Sequence, residues 1–119
     1  MATLSDPERK KAYEDALSNW SYHDYVEFEL NESAYKYLRE ELGITTTKLK
    51  ELMWEFVKSG GDVDEVRETR SPWCEDHEFH HDLRFDVRGK RVYVETRLHF
   101  SPPFKFDEST ITVVNIHDP

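Results

Sequence analysis

The chain has 119 residues, 37% hydrophobic and 13% aromatic, which suits one ordinary hydrophobic core and leaves too little for two. A formal charge of −9 and a pI near 5.1 argue against a general nucleic-acid coat protein, which draws its affinity from a positive field. The lone cysteine, Cys74, excludes an internal disulfide framework and fits a reducing compartment, so the expected location is cytoplasmic.

The opening stretch MATLSDPERKKAYED lacks the apolar run of a signal peptide, and no segment approaches the roughly 18 apolar residues of a membrane span. A soluble, unprocessed chain without a membrane partner is therefore expected. Ser5 or Asp6 can cap a first helix over about residues 6 to 19, with Pro7 in its first turn. Tyr13, Leu17 and Trp20 recur along one face of it. Whether this helix, within residues 1–21, packs on its own sheet or sits peripherally against a partner is left open.

YVEFEL then alternates as a short strand, with Val26, Phe28 and Leu30 on one side. Asn31 caps a second helix carrying Ala34, Tyr35, Leu38 and Leu42 and ending at Gly43. Thr45 to Thr47 open a third, with Leu49, Leu52, Met53, Phe56 and Val57 on one face, ending at Gly60-Gly61. Beyond Gly61 the chain turns β-rich: VDEVRETR, HEFHHDLRFDV, RVYVETRLHF and TITVVNIHD read as strands. The expected fold is α+β: about three N-terminal helices packed on one face of a mostly antiparallel sheet of three to five strands. One domain spans 1–119, with a β-meander over 62–119.

HEFHH, residues 77 to 81, matches the His-Glu-x-x-His pattern of zinc proteases. That chemistry needs a helix, where i and i+4 share a side; in a strand the two histidines stand about 13 Å apart. Alternation decides for a strand, with His77, Phe79, His81, Leu83, Phe85 and Val87 on one face and Glu78, His80, Asp82, Arg84, Asp86 and Arg88 on the other. A metalloprotease is not expected, nor a metal or a cofactor. His77 and His81 are expected at the core edge, bonded locally, and Cys74 with His77 lacks a second ligand pair.

A Gly-first turn at Gly89-Lys90 would set Val87 opposite Val92, Arg84 opposite Glu95, Asp82 opposite Arg97 and His80 opposite His99. The last strand would add Thr112, Val114 and Ile116 to the apolar layer, and Ile111, Val113, Asn115 and His117 to the other face. Between Leu83 and Lys105, Arg84, Arg88, Lys90, Arg91, Arg97 and Lys105 face only Asp86 and Glu95, a net +4 island in an acidic chain. Histidines exchange protons near neutral pH, a carboxylate serves as base, and an arginine stabilises a phosphate anion. The candidate catalytic set is His80, Glu95, Arg97, His99 and His117, with Arg84, Tyr93 and Asn115 binding substrate. The structural alternative is a solvated sheet face laced with ion pairs.

The stretch from YVEFELNESAYKYLREELGITTTKLKELMWEFV through the meander resembles the RelE/ParE-type small bacterial toxins in its order of strand, two helices and sheet. The resemblance covers roughly Tyr22 to His117 and rests on topology and on the residue types Glu95, Arg97, His99 and His117. It implies a metal-independent ribonuclease acting through the sheet face, with RNA and an antitoxin-like protein as partners. The chain departs from the pattern in its acidity and in its added N-terminal helix. The alternative function is a non-catalytic protein–protein interaction module.

Overall fold

Asp6 accepts the Arg9 amide at 3.0 Å and Pro7 begins α1 (Pro7–Ser18), as the cap and the proline dictate. The computed structural model describes residues 2–99 and 109–119. The expectations placed on Phe100, the end of RVYVETRLHF, and on Lys105 lie outside the described residues. Before α1 stands a two-residue strand, β1 (Ala2–Thr3), which the sequence reading lacks. After it come β2 (Val26–Phe28) and α2 (Glu32–Lys36), which widens into a π-helical turn over Tyr37–Leu42. Asn31 caps α2 through the Ala34 amide at 2.8 Å. Gly43 ends the turn in the left-handed region, at φ 63°, with space for a Cβ limited by Arg88. Helix α3 (Thr46–Lys58) follows, capped by Thr45.

The β-rich half contains β3 (Asp64–Arg67), β4 (Phe79–Val87), β5 (Lys90–His99) and β6 (Thr110–His117). These form one sheet with β1 and β2 in the order β1-β3-β4-β5-β6-β2, antiparallel except where β2 runs parallel to β6. Two expectations are thereby corrected. The sheet has six strands, because Ala2–Thr3 ahead of α1 adds an edge strand on β3 to the five expected. The helices are not all N-terminal either, since α4 (Trp73–Asp76) intervenes between β3 and β4. No helix among the described residues is long and apolar enough to cross a membrane.

Helices α1 and α3 lie over one sheet face. Ala12, Tyr13, Ala16 and Leu17 of α1 and Leu49 and Met53 of α3 are fully buried with Leu83, Val92, Val94, Ile111 and Val113. The Tyr13 hydroxyl shares a hydrogen bond of 2.8 Å with Thr96 Oγ1, and Phe56 stacks on Phe85 at 5.4 Å. The first helix is thus part of the core.

The β4–β5 register corrects the expected one by two residues. The loop is Arg88-Gly89, both at positive φ (52° and 81°), as a primed turn requires. Val87 therefore faces Lys90, Phe85 faces Val92, Arg84 faces Tyr93 and Asp82 faces Glu95. A shift of two keeps every side chain on its expected face and changes every partner. In β6 the register against β5 slips at Glu95/Thr96, where Asn115 opposes Glu95 and Val113 opposes Thr96. Val114 is the extra residue of this bulge. It turns Ile111 and Val113 inward with Ile116, contrary to the uninterrupted alternation expected, and leaves Thr112 outside opposite Arg97.

Candidate functional site

The sheet face away from the helices carries, strand by strand, Asp64 and Val66, then His80, Asp82 and Arg84, then Tyr93, Glu95, Arg97 and His99, then Thr110, Thr112, Asn115 and His117. Past the end of β3 the same alternation continues to Glu68, whose amide bonds to the Glu78 carbonyl at 2.9 Å.

At the centre, Arg97 is fully buried, its Nη2 2.8 Å from Glu95 Oε2 and 2.5 Å from Glu68 Oε2. Arg70 reaches the same Glu95 oxygen, while its amide and Nε lie 3.0 and 3.4 Å from Glu68 Oε1. Burial pushes the Glu95 carboxyl up, but the hydrogen bonds from Arg97 and Arg70 outweigh it and hold the group below the usual range. The sequence reading does not single out Glu68 and Arg70; the continued alternation of Asp64, Val66 and Glu68 is the signal that finds the first. Arg97, expected to meet substrate, is instead enclosed by this four-residue network.

Beside the network, His80 Nδ1 stands 2.8 Å from Asp82 Oδ1, and Asp82 is 1% exposed. The Tyr93 hydroxyl lies 3.5 Å from Glu95 Oε1. Its pKa is raised by burial and by the nearby Asp82 carboxylate. One ligating atom each from His80, Asp82 and Glu95 falls within 4.8 Å of the other two. Asp82, on the expected face but outside the candidate set, is therefore central to the site.

A third group forms a row across three strands. The Arg84 guanidinium sits 4.9 Å from the Tyr93 ring centroid and the His117 ring 4.7 Å from it, each pair in direct register. Arg84 also bonds Asp64. His117 is exposed, its Nδ1 2.5 Å from the Asp118 carbonyl. A depression of about 380 Å³ lined by Phe56, Gly60–Asp62, Asp64, Arg84 and Arg91 opens at the arginine end.

The five expected catalytic residues do not converge. His80, Glu95 and Arg97 meet at the centre, and His117 joins Arg84 and Tyr93. His99 lies at the far end of β5, opposite Thr110 and edge-on to His77 at 4.4 Å. Asn115 spends its Oδ1 on the Ile116 amide at 2.9 Å, holding the bulge.

HEFHH is divided between the faces. His81 is on the helix side, 3.1 Å from Glu65, which Arg9 holds through Nε and Nη2. His77, expected on that same side, packs instead on His99 of the polar face. One ion cannot meet both rings. No family model, curated protein or solved structure matches the chain.

Proposed function

We propose that the protein is directed at phosphodiesters, with single-stranded RNA as the substrate class. The observation that carries this reading is the in-register row of Arg84, Tyr93 and His117. Proteins that take single strands present stacked aromatic and guanidinium planes, because every base has a π-face. The exposed His117 ring is free to extend the column by one base, while Arg84 and Arg91 border the depression that a phosphate would enter. The chemistry falls to the adjoining centre of His80, Asp82 and Glu95, where a carboxylate orients an imidazole. Arg97 and Arg70 fix the Glu95 carboxylate from behind.

The test is fluorescence anisotropy with a labelled single-stranded RNA at low salt, together with a cleavage assay on the same oligomer. Losing one stacking plane costs about 1–3 kcal/mol per base, so His117→Ala is expected to weaken binding by roughly 5- to 150-fold. Unchanged binding by His117→Ala, or none by the wild type, would remove the reading.

A second reading, a non-catalytic interaction module, is favoured by Tyr22 and Tyr35, which are 65% and 40% exposed and of a type enriched in interfaces. It predicts that Tyr22→Ser with Tyr35→Ser abolishes capture of a protein partner and leaves RNA binding intact.

A further inference from the structure

We propose that His80, Asp82 and Glu95 bind a first-row divalent transition cation of the Zn(II) or Mn(II) class through one imidazole nitrogen and two carboxylate oxygens. Asp82 lies directly opposite Glu95, and like charges in that position destabilise a ladder. Here both are nearly shut off from water, their side chains 1% and 7% exposed.

Counting charge shows what is missing. Asp82, Glu95 and Glu68 bring three carboxylates to this centre; Arg97 and Arg70 bring two guanidiniums, and both engage Glu68 and Glu95. Asp82 receives neither. Its side chain bonds the His80 imidazole, with the Tyr93 phenol close by. Unless the His80 ring carries a proton, a negative charge is left over in a low-dielectric place, and buried charges there are paired or coordinate metals.

The donor atoms suit the second outcome. Both arginines take Glu95 Oε2, which leaves Oε1, on the Tyr93 side, for a cation. The three donor atoms lie within 4.8 Å of one another. Ligands about 2.0–2.2 Å from one ion stand roughly 3–3.5 Å apart, so the widest separation has to close by more than an ångström. His80, the least buried of the three at 12%, is the side chain with room to turn. A mixed nitrogen and oxygen set favours Zn(II) or Mn(II) over Mg(II), which prefers oxygen. The arginines on Glu95 supply outer hydrogen bonds that orient such a ligand. The site uses the histidine of HEFHH that lies outside the protease pattern. It replaces the expectation of a metal-independent centre.

This deepens the phosphodiester reading of the same centre and rests on it for what the cation would do, but binding is measured without RNA. Full-length chain purified without a histidine tag and stripped with EDTA is titrated calorimetrically with Zn(II), Mn(II) and Mg(II). One equivalent of Zn(II) or Mn(II) is expected to bind more tightly than Mg(II), with a rise in Tm that EDTA reverses. His80→Gln and Asp82→Asn should each weaken binding at least about 10-fold, and His99→Gln should not. Metal-free Asp82→Asn should melt no lower than metal-free wild type, because it relieves the Asp82–Glu95 repulsion, so lost binding is not lost folding. Less than about a tenth of an equivalent bound, or equal binding by wild type and Asp82→Asn, would overturn the proposal. Should the variants fail to fold, Co(II) titrated into the unmodified chain decides: strengthened visible absorption supports the site and its absence overturns it. One equivalent bound with no action on RNA would remove the substrate reading and leave the cation site standing.

Discussion

Arg97 is the residue whose role the structure changes most. Buried between Glu68 and Glu95, it is a poor catalytic probe, because truncating one member of a buried ion pair leaves its partners charged in low dielectric. Arg97→Ala is expected to lose about 3–5 kcal/mol in urea unfolding, whereas His99→Ala, at an exposed position, should lose little. His81 supplies a pH prediction. Burial holds its pKa below the ordinary 6.5, outweighing Glu65, so the unfolded chain takes up a proton that the folded chain refuses. Stability is then full above about pH 6.5 and declines as pH falls below it. Glu65 and Glu95, both held below the ordinary 4.5 by arginine partners despite burial, contribute above that value and lose their contribution as pH falls through the range beneath it. Acid should act in two stages, and His81→Gln should flatten only the upper one in melts taken from pH 7 to 3. That His80 and Asp82 share a face was legible from alternation alone. That Arg97 is enclosed was not: the alternation from Asp64 through Val66 reaches Glu68, but Arg70 lies beyond it, and nothing in the pattern shows that both close over Arg97.

At the scale of elements, the helices were legible because their caps are chemical: Asp6, Asn31 and Thr45 each accept the amide three residues on. The hairpin register was not, because the loop places Arg88 at φ 52°, a conformation that costs an L-residue energy and that no side-chain pattern announces. A Gly-first turn one residue later satisfies the same apolar faces, so hydrophobicity could not choose between registers two apart. Gly89→Ala, at φ 81°, is expected to destabilise by about 1 kcal/mol. Arg88→Asn should be tolerated, because Asn adopts the left-handed region readily and the Arg88 bond to the Leu42 carbonyl is long, at 3.4 Å. Paired chemical denaturation of the two variants checks both. Equal losses would mean that the turn does not set the register.

At the scale of the molecule, α1 joins the halves of the sheet. Its Tyr13 hydroxyl reaches Thr96, its Ala12 carbonyl accepts the Ser109 hydroxyl at 3.0 Å, and Arg9 holds Glu65. Removing residues 1–20 is therefore expected to abolish cooperative unfolding, and Leu17→Ala to cost about 2–5 kcal/mol, both read by circular dichroism. A deletion that left the melting temperature unchanged would return the helix to the role of a partner-binding appendage. The α+β class and the faces of β4 and β5 were readable in advance; the face of β6 was not, because the bulge at Val114 breaks its alternation. The edge strand β1 was not legible, since two residues carry almost no pattern, whereas β2 falls within the expected strand YVEFEL.

Those short edges bear on self-association. On β6, strand β2 covers only Ile111 to Val113, and an uncovered strand margin is a template for fibril growth. The bulge at Val114 twists the remaining stretch, and Asn115 occupies the Ile116 amide that an incoming chain would need. Asn115 is thereby expected to act as a gatekeeper against self-assembly. Asn115→Val should leave the melting temperature nearly unchanged while shortening the lag before thioflavin-positive aggregates form.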